Sequence, residues 1–147
     1  MATDSAGTDS NQRAPGLNAF RPRIAYVTYN VEDVDRALAF YVGVLGMQEQ
    51  ARFPIGGGVN EVVLTFPDSK ASSLVLMFKD ERAAPVVHGD GYSRFVVRVS
   101  DLDGAVAALV EHGVRLQTSP TDVGSLRYAM IRDPDGYLIE LLQFKRG

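Results

Sequence analysis

The chain repeats one nine-residue pattern, and this repeat limits the folds open to it. Residues 31–39 read Val-Glu-Asp-Val-Asp-Arg-Ala-Leu-Ala, and residues 99–107 read Val-Ser-Asp-Leu-Asp-Gly-Ala-Val-Ala. Five of the nine residues are identical at an offset of 68 positions. A chain of 147 residues has the size of one compact domain. The repeat therefore indicates two copies of one supersecondary unit, and the seam between two copies is a common place for a ligand.

Both copies show the same order of predicted elements, a strand, a helix and three strands. In the first copy a strand over residues 23–30 precedes a helix capped by Asp33, and strands over 47–53, 61–66 and 73–78 follow. In the second copy a strand over 92–99 precedes a helix capped by Asp101, and the later strands cover 114–118, 126–132 and 137–144. The pattern predicts an α+β fold of two βαβββ modules, at about 23–79 and 92–145, joined by a linker over 80–91.

Composition excludes several classes of partner. The net charge is −3, and no basic run is present, so nucleic acid is not expected as a partner. No apolar run approaches the roughly 18 residues of a membrane span, and a membrane partner is not expected either. Residues 1–20 are small and polar, which predicts a disordered tail before a single domain over 21–147. The absence of cysteine and of a secretory signal pattern favours a cytoplasmic protein.

Alternation along the strands predicts which side chains face the helices. Phe95, Val97 and Val99 are expected under the helices, so that Arg94 and Val96 face the other way. Two sheets that curve together would form a cup on that second face. The residues predicted to line the cup are Tyr26, Thr28, Leu74, Leu76, Phe78, Arg94, Val96 and Glu140. Phe40, Tyr29 and Tyr41 are expected in the core, and Asp133 and Asp135 are expected as turn residues.

Two stretches of sequence resemble a known family. One is Val-Glu-Asp-Val-Asp-Arg-Ala-Leu-Ala-Phe-Tyr over residues 31–41, followed by Leu-Gly-Met at 45–47, and the other is Asp-Pro-Asp-Gly-Tyr-Leu-Ile-Glu-Leu over 133–141. With the repeat between them, the chain resembles the vicinal oxygen chelate superfamily, which includes glyoxalase I, the extradiol dioxygenases and the bleomycin resistance proteins. The resemblance implies curved mixed sheets around a ligand-binding cup, with Tyr128 and Met130 added to its lining. It also implies a homodimer.

The residues at the family's metal positions depart from the family pattern. Its metal enzymes place histidine and carboxylate ligands on the first and last strands of each module, and these positions carry over to Tyr26, Leu76, Arg94 and Glu140. Only Glu140 is a residue type that ligates metals, because leucine has no donor atom and arginine is always cationic. His88 falls in the linker and His112 in the last turn of the second helix, and neither is expected to bind metal. We therefore expect no metal and no cofactor.

The sequence leaves the role of two charged residues and the function open. Because the family's metal enzymes bring these two positions to one ion, the resemblance implies that Arg94 and Glu140 lie within reach of each other. They would form either a structural ion pair or ligand contacts, with Glu140 the candidate catalytic base. The first hypothesis is a metal-free protein that binds a small aromatic or amphipathic molecule in the cup. The alternatives are a lyase, isomerase or cyclase that uses Glu140, a ligand-free interaction module, or, less favoured, a metal-dependent glyoxalase or dioxygenase.

Overall fold

Over residues 16–22, 24–69, 73–81 and 84–145, which the computed structural model describes, eight strands form two four-stranded sheets. The first sheet has the order β1-β4-β3-β2 and the second the order β5-β8-β7-β6. In each sheet the first strand of the module runs parallel to the last, and the other pairs are antiparallel. The strands are β1 (Tyr26–Asn30), β2 (Gln48–Gly56), β3 (Val59–Thr65), β4 (Ser73–Lys79), β5 (Phe95–Arg98), β6 (Leu116–Val123), β7 (Leu126–Arg132) and β8 (Leu138–Phe144).

The repeated sequence forms the two helices, α1 (Val34–Tyr41) and α2 (Leu102–Glu111). Asp33 accepts a hydrogen bond from the Arg36 N–H, and Asp101 accepts one from the Gly104 N–H, so both predicted caps are present. These caps satisfy N–H groups that the first helical turn leaves unpaired. The βαβββ order of both modules, and with it the α+β fold, is confirmed.

Several element boundaries differ from the sequence predictions. The apolar stripe predicted that α1 would reach Leu45, but the helix ends at Tyr41 and residues 42–45 form a turn. This turn contains Gly43, a residue that disfavours continued helix. β6 extends to Val123, past Pro120, because its pairing with β7 shifts between Thr118 and Thr121, and such an irregularity accommodates proline on an edge strand.

The predicted N-terminal tail is only partly covered by the structure. Residues 1–15 lie outside the described part of the chain. Leu17–Phe20 form a short 3-10 helix, and all four of its residues are exposed. No helix within the described residues is long and apolar enough to cross a membrane.

The helix-facing sides of the two sheets share one hydrophobic core. Phe40 and Tyr41 of α1 are buried in it, and Tyr29 of β1 packs against it, as predicted. Both modules contribute to the fully buried side chains of this core, among them Val31, Val62, Leu64, Leu102, Ile131 and Ile139. Burial of aliphatic and aromatic area is the main stabilising contribution in such a core. The shared core holds the modules together through their helix sides.

Three residues predicted for the cup lie on the opposite face of the first sheet. Leu74 is paired with Val27, and Leu76 is paired with Tyr29, which packs against the core. Leu74 and Leu76 belong to the shared core, and Phe78 packs against it. The prediction was wrong because residues 74–78 are a continuous apolar run, and alternation cannot set the phase of a strand that is covered on both faces.

The turn between β7 and β8 joins the second module to the first. The Asp133 carboxylate is buried, accepts hydrogen bonds from the backbone N–H groups of Asp135 and Tyr137, and accepts a third from the Tyr41 hydroxyl at 2.7 Å. Tyr41 also hydrogen-bonds Tyr29 through its hydroxyl. Asp135 accepts from the Glu32 N–H at 3.1 Å and pairs with Arg36. The two aspartates are turn residues, as predicted. They also bind Tyr41 and Arg36 of α1 and the backbone of Glu32 just before it.

Burial raises the pKa values of Asp133 and of the tyrosines at this junction. Loss of hydration raises the pKa of Asp133 above its usual 3.8, against the opposing effect of its three hydrogen bonds. Burial also raises the pKa of Tyr41 and of Tyr29 well above their usual range, and it raises that of Tyr137 to about 12. The tyrosines of the junction are therefore neutral hydrogen-bonding groups at neutral pH.

His88 of the linker packs against the same turn. Its Nε2 is 2.8 Å from the Asp135 carbonyl oxygen, and its ring stands edge-on to the Tyr137 ring at 4.4 Å. Gly136 has a φ of +87° beside this ring. The backbone N–H of Val86 donates to Glu32 at 2.8 Å. Val86 and His88 of the linker therefore contact both modules at the junction.

Candidate functional site

The candidate site is the outer face of the second sheet, the face turned away from the core. Val96 is paired with Glu140, and Glu140 is paired with Met130, so these three side chains share one face. On the next row Leu142 is paired with Tyr128. The structure therefore places five residues of the predicted lining on one face, with Leu138 and Leu142 between them: Arg94, Val96, Tyr128, Met130 and Glu140.

Arg94 and Glu140 form an ion pair on this face. The Arg94 Nε donates to Glu140 Oε2, and its Nη1 lies 3.3 Å from the Ser93 hydroxyl. The Glu140 side chain is largely buried at 11% exposed, whereas the Arg94 side chain is 44% exposed. The guanidinium therefore covers the carboxylate and keeps part of its own donor edge open to solvent.

The first-module part of the predicted lining lies apart from this pair. Tyr26 and Thr28 share the outer face of the first sheet with Val75 and Met77. The Tyr26 side chain is half exposed, and within the described residues no hydrogen bond or ring contact joins it to Arg94 or Glu140. The single chain therefore brings together the second-module residues of the predicted cup and leaves the first-module residues on a separate surface.

Strand register corrects one of the four positions carried over from the family's metal enzymes. Thr28 is paired with Val75, as Val96 is paired with Glu140, and Thr28 and Val96 are equivalent positions of the repeat. Val75, rather than Leu76, therefore occupies in the first sheet the place that Glu140 occupies in the second. Valine, like leucine, has no side-chain atom that can ligate a metal, so this position supplies no metal ligand.

The residues at these four positions do not fit a divalent metal ion. They are Tyr26, Val75, Arg94 and Glu140, and the one carboxylate among them is already bound to a guanidinium. Catalytic zinc sites use three protein ligands of histidine, cysteine or carboxylate type. Within the described residues no three such side chains lie close enough together to hold a metal.

Three clefts open beside the free edge of β5, and no local pattern in the sequence marks them. One cleft of about 500 Å³ lies between the turn after α1 and the start of α2, and its lining includes Val44, Val99 and Ala108. A second, of about 670 Å³, lies between β5 and the β3–β4 region. The third, of about 460 Å³, adjoins Phe144 and Lys145. Arg98 lines all three clefts, and it lies two positions after Val96 on the outer-facing side of β5.

Comparison with known proteins identifies the family of this chain. The family model described as the Glyoxalase/Bleomycin resistance protein/Dioxygenase superfamily matches residues 23–141. The chain belongs to this superfamily. The resemblance seen in residues 31–47 and 133–141 is thereby confirmed.

Relatives within the superfamily have different named activities. Lactoylglutathione lyase of Arabidopsis thaliana is 29% identical over 135 residues, which cover 82% of this chain and 44% of the plant protein. The chain thus spans less than half the length of that relative. Among solved structures, TnmS3, an antibiotic-binding protein from Streptomyces sp. CB03234, is 27% identical with a TM-score of 0.69, covering 84% of this chain and 97% of TnmS3. Glyoxalase I of Leishmania major is also 27% identical, with a TM-score of 0.72 and coverage of 83% and 86%.

Proposed function

We propose that this superfamily member binds a planar aromatic or amphipathic small molecule on the outer face of its second sheet, without a metal ion. The Arg94–Glu140 pair carries the proposal, because it places a guanidinium on the carboxylate that a metal-dependent relative would need as a ligand. The pair also leaves N–H donors for a ligand oxygen.

The rest of the face suits a flat apolar ligand. Leu138, Leu142 and Met130 supply apolar area around the ion pair, and the Tyr128 ring supplies a surface for stacking. Sites for small molecules commonly combine an apolar lining with a few polar groups that orient the ligand. The TnmS3 relative, named as antibiotic-binding, provides a precedent within the fold for binding as the function.

We further propose that a second copy of the chain covers this face and completes the cup. β1 and β5 are each at the edge of a sheet with one side unpaired, and such edges pair readily with another chain. Tyr26 is 53% exposed and Val96 is 44% exposed, although both lie at predicted lining positions. Sedimentation velocity tests the proposal, with a dimer expected at micromolar concentration. A monomer at every concentration up to 100 µM, roughly, would contradict it.

Fluorescence titration with N-phenyl-1-naphthylamine, a neutral planar probe, tests the binding function. We expect saturable binding to the wild-type chain, and about tenfold weaker binding to Val96→Glu, because a charge on the apolar face must be desolvated. Val110→Glu is the matched control, since Val110 is exposed on α2 away from the face, and it should bind as the wild type does. Loss of binding in both variants, or in neither, would contradict the assignment of the site.

A lyase or isomerase that uses Glu140 as a base is the second candidate. Its support is the match to lactoylglutathione lyases together with the retained carboxylate at residue 140. The ion pair weighs against it, because one carboxylate oxygen already accepts the Arg94 N–H. Glu140→Gln separates the candidates: the binding function retains probe affinity within about threefold, whereas a Glu140-dependent enzyme loses lactoylglutathione formation.

A further inference from the structure

Arg98 is a second arginine on the proposed binding face, and among the residues that the structure describes its guanidinium has no acidic partner. It is paired with Leu142 in the register, and therefore shares the outer face with Val96 and Glu140. It lies four positions after Arg94, which corresponds to roughly 13 Å along an extended strand. Within the described residues Arg98 makes no hydrogen bond or ion pair through its side chain, whereas Arg94 is bound to Glu140.

An aromatic ring positions the Arg98 guanidinium. Its Cζ lies 4.7 Å from the centre of the Phe144 ring. Stacking on a ring fixes a guanidinium while leaving the N–H donors around its edge available to an acceptor. Arg52 provides a contrast on the first sheet. It lies over Phe78 at 5.8 Å, but its Nε and Nη2 both donate to Glu49 at 2.9 Å.

The surrounding clefts give a ligand access to Arg98. All three clefts beside β5 include Arg98 in their lining. The two larger ones are lined mainly by helix-side residues such as Val97 and Leu141, whereas the smallest adjoins Phe144 on the outer side. Asp68 and Asp101 line the larger two clefts without forming an ion pair with Arg98. Asp101 already accepts the Gly104 N–H as a helix cap. A guanidinium that has no ion-pair partner among the described residues, and that lies over Phe144 beside the outer cleft, favours a ligand that is apolar over most of its surface and anionic at one end.

We infer that Arg98 binds the anionic group of the ligand, so that the outer face of the second sheet selects aromatic anions, such as carboxylates or sulfonates, over neutral aromatics. The inference rests on the proposed function and adds the charge class of its ligand. Arg94 cannot supply this selectivity alone, because Glu140 neutralises its charge. Arg98 is the specificity-determining residue in this account.

Two probes that differ by one charged group test the inference. 1-Anilinonaphthalene-8-sulfonate carries a sulfonate that N-phenyl-1-naphthylamine lacks, and both report binding by fluorescence. We expect the wild-type chain to bind the sulfonate about tenfold more tightly than the neutral probe, the range for a hydrogen bond to a charged group. Arg98→Gln should abolish this difference by weakening the binding of the sulfonate far more than that of the neutral probe. Arg98→Lys should retain part of it, and Arg52→Gln, the matched control, should retain all of it.

The outcomes separate the inference from the proposed function. The inference is overturned if the wild type binds the two probes with equal affinity, or if Arg98→Gln keeps the preference for the sulfonate. In either case the proposed function still holds as long as the neutral probe binds saturably. Equal weakening of both probes in Arg98→Gln also overturns the inference, because the residue then acts on the fold of the face. If neither probe binds saturably, both proposals fail. If Arg98→Gln converts a dimer into a monomer, the acidic partner of Arg98 belongs to a second copy, and the inference is wrong.

Discussion

The two modules have the same backbone plan but use equivalent regions differently. In the second module the β7–β8 turn reaches the first module through Asp133 and Asp135. In the first module the described part of the β3–β4 turn makes local hydrogen bonds, from the Thr65 hydroxyl to Phe66 O and from the Ser69 N–H to the same oxygen. Positions that are identical in the two copies therefore specify the elements of a module. Positions that differ between the copies, such as Glu32 and Arg36, and residues outside the repeat specify how the modules join.

The outer sheet faces differ in the same way. The first sheet carries Thr28 opposite Val75, and the second carries Val96 opposite Glu140 with Arg94 beside it. The helix caps are retained in both modules, since each satisfies a backbone requirement of its own helix. No backbone requirement constrains the outer faces, so their side chains can serve a ligand. The comparison thus separates positions that maintain the fold from positions available for binding.

The largest effect is expected from breaking the module junction. Asp133→Ala removes the acceptor of three hydrogen bonds and leaves buried donors unpaired, so it should reduce the free energy of unfolding by about 3 kcal/mol. Asp68→Ala, in the exposed turn of the first module, should change it by less than about 0.5 kcal/mol. Urea denaturation measures both. Equal effects of the two substitutions would show that the turns do not differ in the way described.

Tyr41→Phe tests the same junction with a smaller change. The variant keeps the ring in the core but removes the hydroxyl that donates to Asp133, and it should lose about 1.5 kcal/mol. Tyr128→Phe on the outer face of the second sheet is the control and should lose less than about 0.5 kcal/mol. A larger loss for Tyr128→Phe would mean that the outer face, not the junction, supports the fold.

The helix caps should respond alike in the two modules. Asp33→Ala and Asp101→Ala each remove a cap hydrogen bond of 3.0 Å, and each should reduce the free energy of unfolding by about 1 kcal/mol. The same urea experiment provides the measurement. A difference of more than about 1 kcal/mol between the two variants would contradict the equivalence that the repeat implies.

The pH dependence of stability gives the smallest expected effect. Burial raises the pKa of Asp133 in the folded chain above the unfolded value of 3.8, so the folded state binds the proton more tightly. The stabilisation from this proton is complete below pH 3.8 and is lost as the pH rises through the folded pKa. As the pH rises through the folded pKa of Asp133, the free energy of unfolding of the wild type should therefore fall relative to that of Asp133→Asn. A constant difference between the two chains, from denaturation at several pH values, would contradict the direction.

Sequence reasoning succeeded where a pattern is local. The caps at Asp33 and Asp101 and the two modules follow from the repeat. The Arg94–Glu140 contact follows from the family resemblance, because the metal enzymes of the family bring these two positions to one ion. It failed at Leu74 and Leu76, where β4 is apolar on both faces. It also missed the contact between Tyr41 and Asp133, which are 92 positions apart, because nothing local in either residue marks the other as its partner.

The central claim is that the outer face of the second sheet binds its ligand without a metal. The most direct measurement combines elemental analysis of the purified chain with titration of N-phenyl-1-naphthylamine before and after dialysis against a chelator. The account predicts metal far below one ion per chain and the same probe affinity in both titrations. The account would be contradicted by about one Zn, Ni, Mn or Fe ion per wild-type chain, if chelation removes both the metal and probe binding and if Glu140→Gln contains no metal.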